Sequence, residues 1–438
     1  MKKFNKNHCH WLGNTLKFGV LLLPFSADFG ATALGLALLG LWKQKYHQII
    51  SNRTNWVLGL LFVSFIITSL LAVHPVLSWE GSGNFLPCLL MIASFPFFFN
   101  SFFRLYQLAW WLVLTSIPLC FLGFMQLLAG WETPLFLHSI GVKLIAYGNP
   151  DGRMSSLLMY ANTLSFYLVV TFTFSIGLWI RHYRRCQPLK NNQINWQLLI
   201  LTVAIFFNGI ALILTNSRSA WGLTCLGLMA FAIYLRWYVI IAAVLITILA
   251  VSWAAWFPFG QDIMREIVPS YFWARLTDDL YDDRYVTALR TTQWGVAWKM
   301  MLQRPFLGWG LRNFTPVYQQ EMNVWMGHPH NLFLMLLAEV GIIGTLLLSS
   351  FVGVILGKAV RLLINLFQSL NNIRNTQESI IYKKRQDKIL LLFTYLVAFS
   401  LCIIFNLFDV SIFDLRVNLI GWLLLSAIAG ITYSFHKL

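Results

Sequence analysis

Apolar stretches about 20 residues long recur from one end of the chain to the other, each long enough to cross a bilayer as a helix. Short polar segments separate them, and the pattern predicts an all-α polytopic membrane protein with about twelve transmembrane helices. The first run, at about 11 to 42, breaks at "PFSADFG" and carries basic residues on both sides (Lys2, Lys3, Lys6; Lys43, Lys45, Arg53). It reads as a hairpin of two short helices whose ends lie on one side. Further spans fall at about 55 to 73, 83 to 102, 105 to 129, 155 to 180, 196 to 214, 219 to 235, 238 to 257, 331 to 357, 389 to 408 and 417 to 434. The chain thus divides into nine spans over 1–257, a large loop over 258–330, and three spans over 331–438.

Composition agrees. Of the 438 residues, 58% are hydrophobic and only 11% charged, too few charges to cover a soluble protein of this size. The first apolar segment, from about Phe18, lacks a small-residue cleavage site and reads as retained. A formal charge of +16 would suit a nucleic-acid partner in a soluble protein. In a membrane protein Lys and Arg crowd the cytoplasmic loops instead, so no nucleic-acid partner is expected. The six cysteines (Cys9, Cys88, Cys120, Cys186, Cys225, Cys402) lie in apolar or basic segments and imply no disulfide framework. His8, Cys9 and His10 resemble a metal-binding tract, but a frayed cytoplasmic terminus accounts for them as well.

Placing both termini in the cytoplasm puts "RHYRR" (181 to 185), Arg236 and the basic stretch from Lys358 to Lys388 inside, as the positive-inside rule requires. Most acidic residues then fall outside, among them Glu80, Glu132, Asp151, Asp262, Asp409 and Asp414. Two outer connections are sizeable, at about 130 to 154 and 258 to 330. The longer carries "VPSYFWARLTDDLYDDRYVTALRTTQWGVAWKMMLQ", whose spacing predicts one or two amphipathic helices at the membrane surface.

The outer side should be poor in cations, yet it holds Arg153, Arg218, Arg265, Arg275, Arg284, Arg290, Arg304, Arg312 and Arg416, with few lysines. Guanidinium suits planar or multi-oxygen anions such as phosphate better than ammonium does. Arg218, in "LTNSRSAW", sits between two apolar runs with almost no loop, at or slightly inside the membrane boundary. An arginine there is costly unless paired, so it is a functional candidate; Thr215, Ser217 and Ser219 add hydroxyl donors. Snorkelling, or pairing with an acid such as Asp409, is the structural alternative. Arg290 opens "RTTQWGVAWKMMLQ", with Trp294, Ala297 and Trp298 at offsets of four, seven and eight, which predicts an amphipathic helix starting near Arg290. A helix N-terminus suits phosphate; a salt bridge to Asp282 or Asp283 is the alternative. "RPFLGWG" reads as a turn returning the chain to the membrane.

The stretch "GHPHNLFLMLLAEVGIIG" places Pro329 and Asn331 as helix-start residues, with His328 and His330 at the outer mouth of the following span. Nearby arginines would hold an imidazole neutral, and a neutral imidazole can act as a general base. Two interfacial histidines satisfied by backbone carbonyls are the alternative. No third ligand stands at metal spacing from them, so zinc is not expected. "TDDLYDD", 277 to 283, offers carboxylates for a hard cation, although a solvated acidic helix face explains it too. Glu339, inside the expected span, is assigned a helix-packing hydrogen bond.

Taken in order, "LTNSRSAWGL", "RTTQW", "RPFLGWGLRNF" and "HPHNLFLMLLAEVGIIG" resemble the successive motifs of the O-antigen ligase and polymerase superfamily. The resemblance covers about residues 205 to 350, and "GRMSSLLMYANTLSFYL" from Gly152 is similar to a weaker upstream motif. It implies a GT-C-type glycosyltransferase with about twelve helices and a large periplasmic loop, acting in the bacterial inner membrane on a glycan carried by undecaprenyl pyrophosphate. Ligases pass that glycan to the lipid A core, polymerases to another lipid-linked glycan, and some relatives to protein. By motif, Arg218 and Arg290 correspond to arginines that hold the donor pyrophosphate, and His330 to the catalytic histidine; Ser217, His328, Asn331, Arg153 and Arg312 are substrate-binding candidates beside them. No metal or other cofactor is expected. The single large outer loop just before the histidines favours the ligase by family analogy. Inorganic-carbon transport, described for some relatives, would call for internal repeats and broken helices near the bilayer midplane, and no convincing repeat is visible.

Overall fold

The computed structural model describes residues 6–185, 195–277, 286–373 and 379–435, and every regular element among them is helical. Nine of these helices are long and apolar enough to cross a membrane: Arg53–Leu70, Phe102–Ala129, Ala161–Arg185, Trp196–Leu214, Arg218–Leu235, Tyr238–Trp256, Gly341–Leu370, Ile380–Phe405 and Leu415–Phe435. Ala161–Arg185 and Leu415–Phe435 are the most enclosed, each lined almost continuously by buried residues. Phe166 of the first packs edge-to-face against Phe405, with ring centroids 5.2 Å apart.

The three other expected spans take different forms. The first run is a hairpin of Lys6–Leu22 and Ala27–Ser51, broken at the anticipated "PFSADFG". Gly30 permits that turn, because a Cβ there would meet the Leu23 backbone at 2.3 Å. The run expected at 83 to 102 is interrupted: short helices Pro75–Ser82 and Leu86–Ser94 precede a 3-10 turn at Phe95–Phe97. Pro75, Pro87 and Pro96 each stand at the start of one of these pieces, where a missing N–H costs least.

The run expected at 331 to 357 also breaks. Leu332–Glu339 ends at Val340, and a new helix, Gly341–Ile373, starts at Gly341 with φ +78°. The turn "RPFLGWG" docks onto this break: Trp309 N–H donates to Ala338 O (3.0 Å), Gly310 N–H to Glu339 O (2.9 Å), and Ile342 N–H to Pro305 O (2.7 Å). Two glycines make the approach possible, since a Cβ on Gly308 would lie 2.4 Å from Glu339 O and one on Gly341 would lie 2.3 Å from Phe306 O. Glu339 therefore sits at the break between two helices and not in the middle of one. Its Oε1 accepts from Phe314 N–H at 3.0 Å, fixing the start of Phe314–Met322.

The loop preceding the histidines is structured. It contains Gln261–Ile267, Ser270–Thr277, Arg290–Gln303 and Phe314–Met322. A small apolar cluster of Val296, Ala297, Met300, Phe314, Val317, Tyr318 and Ala338 holds the last two against Leu332–Glu339. The helix begins at Arg290 as predicted, but its buried face is Gln293, Val296, Ala297, Met300 and Met301, and Trp298 is half exposed. The packing partner, not the tryptophans, sets which face turns inward.

Candidate functional site

Four segments far apart in sequence meet at one end of the bundle. The first is the histidine segment. Asn331, with extended backbone, caps Leu332–Glu339 by accepting from Leu334 N–H at 3.1 Å. Leu332 N–H in turn donates to Asn406 O at 2.8 Å, tying the segment to the end of the helix Ser379–Phe405. His330 adopts φ +51°, a left-handed conformation that costs a non-glycine residue about 1 kcal/mol or more. Such strain persists only where surroundings enforce it, and it gathers at functional sites.

The second segment follows Ser379–Phe405 and supplies Asp409. Its Oδ1 lies 3.0 Å from His330 Nδ1 and 3.9 Å from His328 Nε2, and accepts from Val410 N–H at 2.9 Å. Its Oδ2 accepts from the Asn162 amide at 2.7 Å. Burial pushes the Asp409 carboxyl up, but the His330 hydrogen bond, the two imidazoles and the Asn162 amide outweigh it and hold the pKa down at about 2. Asp409 is therefore a carboxylate at neutral pH and can only accept. The His330 proton then belongs on Nδ1, which leaves Nε2 as a lone-pair acceptor.

His328 is set the other way round. His330 N–H donates to His328 Nδ1 at 3.2 Å, so the His328 proton sits on Nε2, on the Asp409 side. Its ring stacks on Phe413, with centroids 5.6 Å apart and planes at 16°. Burial lowers its pKa to about 4, against the pull of Asp409; His330 and Arg290 add to the fall. Desolvation, and not the arginine charge anticipated from sequence, is the main cause.

The third segment precedes Ala161–Arg185 and the fourth is the turn before Arg218–Leu235. Arg153 joins them: its Nε donates to Thr215 O at 2.9 Å and its Nη2 to Asn162 Oδ1 at 2.7 Å, while Met154 N–H donates to Leu214 O at 3.0 Å. A continuous chain of contacts thus runs from the Arg218 turn through Arg153, Asn162 and Asp409 to His330. Arg218 is the first residue of its helix and half-buried, and Ser217, buried, is the residue before it. Arg290 is exposed at the start of its own helix and close enough to His328 to depress its pKa. Asp282 and Asp283, and most of "TDDLYDD", lie outside the described residues.

The remaining outer arginines separate by role. Arg416 is buried and donates to Leu157 O and Leu158 O, with Asp414 at 2.8 Å; it ties helix Leu415–Phe435 to the loop ahead of Ala161. Arg265 donates to Ala254 O at 3.0 Å and covers Trp273. Arg312 pairs with Glu80 at 3.3 Å and lies 5.5 Å from the Phe413 ring, at the rim and not among the residues lining the cavity.

A cavity of about 400 Å³ opens over His330, His328 and Asp409, walled by Tyr160, Asn162, Trp325 and Phe413. Its mixture of aromatic faces and convergent polar groups suits a polar organic ligand such as a sugar. His328, His330 and Asp409 also offer three ligand atoms within 4.8 Å of one another, a set able to hold a divalent ion. No third ligand is visible near the histidines in sequence because it comes from 79 residues away. Sequence reasoning placed Asp409 among the outer acids, as a possible partner for Arg218 and not for the histidines, and did not single out Asn162. The available signals were an acid at the end of an apolar run, and the asparagine within "GRMSSLLMYANTLSFYL".

The fold and site define an all-helical polytopic membrane protein with a histidine–carboxylate pair in a polar cavity at one end. Residues 200–349 match the family model described as O-Antigen ligase, so this third of the chain carries the domain of the O-antigen ligase and polymerase superfamily. That stretch contains Arg218, Arg290, His328 and His330. The family implies a glycosyltransferase-like reaction between a lipid-linked glycan and a lipid acceptor. No curated protein matches the chain.

Proposed function

We propose that this protein is an O-antigen ligase-type, GT-C glycosyltransferase of the bacterial inner membrane. It transfers a glycan from undecaprenyl pyrophosphate to the lipid A core on the periplasmic side. The observation that carries this reading is the His330–Asp409 pair facing a cavity within reach of Arg290. The acceptor hydroxyl loses its proton to His330 Nε2 as its oxygen attacks the anomeric carbon. The bond from that carbon to the pyrophosphate oxygen breaks, and Arg218 and Arg290 take up the growing negative charge. Asp409 holds the tautomer and steadies the imidazolium formed. Preorganised charge of this kind contributes roughly 3 to 4 kcal/mol per contact to lowering the barrier. Guanidinium groups supply the charge, so the reaction needs no metal, and direct displacement inverts the anomeric configuration.

The test is the lipopolysaccharide of a deletion strain complemented with wild type, Arg218→Ala or His330→Ala, resolved by length. Long glycan missing from the core and accumulating on the lipid carrier, restored by wild type alone, is the expected result. A single repeat that still reaches the core, with long chains lost, identifies a polymerase. An unchanged ladder refutes glycan transfer and turns attention to bicarbonate uptake in proteoliposomes.

A further inference from the structure

A second cavity of about 320 Å³ shares Ser411 with the first and is lined mainly by hydrocarbon, so it belongs to the same region of the bundle. The opposite end carries a different feature. Helix Ala161–Arg185 starts beside the polar cavity, which Asn162 lines, and reaches Arg181 19 residues later, about 28 Å along its axis at 1.5 Å per residue. That distance is close to one hydrocarbon thickness, so Arg181 stands at the head-group level of the other leaflet, outside the site described above.

Arg181 is a largely buried cation whose partner is already taken. Its side chain is 15% exposed, and its guanidinium carbon lies 4.0 Å from the centre of the Tyr106 ring. Asp387 is the sole acid in the four helices that surround it, Phe102–Ala129, Ala161–Arg185, Trp196–Leu214 and Ser379–Phe405. Arg185 occupies that acid: its Nε donates to Asp387 Oδ2 at 2.7 Å and its Nη2 donates to the same oxygen. Arg181 Nε stays 3.6 Å from that oxygen, beyond hydrogen-bond reach, and its Nε and Nη1 are both buried without an acceptor.

The side chains around it are committed elsewhere or are donors too. Leu178 O only accepts, so His182 donates to it from Nδ1 at 2.8 Å, and His182 Nε2 accepts the Tyr106 hydroxyl proton at 3.2 Å. Trp110, edge-on to His182 with ring centroids 5.7 Å apart, leaves its Nε1–H without an acceptor. Three buried N–H groups thus gather around Tyr106 and His182 with nothing to receive them. Burying a guanidinium is costly unless an anion offsets its lost hydration, and the planar fork suits two oxygens of a phosphate. We propose that Arg181, with Tyr106 and Trp110 beside it, binds a phosphate oxyanion at this end of the bundle, carried by a phospholipid head group or free in solution. The anion joins Ala161–Arg185 to Ser379–Phe405, the two helices whose far ends carry Asn162 and lead to Asp409. The inference does not depend on glycan transfer.

The experiment uses the full chain, stripped of lipid in detergent and titrated with phosphatidylglycerol, with diacylglycerol of the same acyl chains, or with inorganic phosphate, and reads affinity from the rise in melting temperature. A rise with phosphatidylglycerol alone identifies a head-group site, and a rise with inorganic phosphate identifies a site for the free anion. Arg181→Lys keeps the charge but loses the fork, and should weaken binding about tenfold, the scale of one charge-assisted contact. Asp387→Asn removes the competing carboxylate and should tighten binding several-fold, a change of opposite sign that a badly folded variant does not imitate. Lys384→Gln removes an exposed charge at the same end and should stay within about twofold of wild type, because salt screens exposed charges. Equal stabilisation by phosphatidylglycerol and diacylglycerol, or no response to either phosphate source, overturns the inference. So does unchanged affinity in both Arg181→Lys and Asp387→Asn, or a loss in Lys384→Gln as large as that in Arg181→Lys.

Discussion

The two cavities share Ser411 and are of similar size, yet one is lined by two carboxylates, two imidazoles and aromatic rims, the other mainly by hydrocarbon with no charged residue. They border adjoining stretches of chain, His328 and His330 on one side and Leu332 and Phe333 on the other, and both draw on 405–412, so a few residues of backbone separate the polar lining from the apolar one. The polar cavity should govern turnover, and that expectation can be broken.

The largest effects should come from His330→Ala and Arg218→Ala, each lowering kcat in proteoliposomes by about 10² to 10⁴. Asp409→Asn should follow at roughly 10² or more, because its amide can donate to His330 Nδ1 and so favours the tautomer without a basic Nε2. Glycan transfer by this variant close to the wild-type rate would dismiss the assigned tautomer.

His328→Gln should reduce kcat only a few-fold and leave the pH–rate profile between pH 5 and 8 in place, because His328 is already neutral there. Stability shows the sign of its shift. Below 6.5 the unfolded chain binds a proton that folded His328 refuses until about pH 4, so thermal stability should decline across that window. His328→Gln should remove part of the decline, and a variant as pH-sensitive as wild type would contradict it. The smallest effect expected is that of EDTA, which should leave transfer unchanged. Loss of activity, restored by zinc, would show that His328, His330 and Asp409 hold an ion during turnover.

Hydropathy made most of the membrane-crossing helices legible, because length and apolarity are local properties. It missed the break at Val340, where only Glu339 and Gly341 interrupt the apolar run and the helix end pairs with Trp309 and Gly310. The pieces around 75–97 were more accessible, since Pro75, Pro87 and Pro96 mark their starts. At the site, Arg218, Arg290 and His330 stand in recognisable motifs. Asp409 and Asn162 do not announce themselves, since each acquires a role only by meeting a partner through the fold, across 79 and 247 residues respectively. Arg416 errs in the opposite direction: its charge suggested ligand binding, and its contacts with Leu157 O and Leu158 O make it a brace.

Asp409 follows Asn162 by 247 residues and His330 by 79, so it is made last of the three. During synthesis the ribosome has released most of the bundle into the membrane before the residue that orients His330 exists. A nascent or truncated chain ending before 409 would present its histidines and arginines to the envelope without the carboxylate that sets the imidazole's proton. The site is thus complete only once the helix Ser379–Phe405 and the segment that follows it have been made.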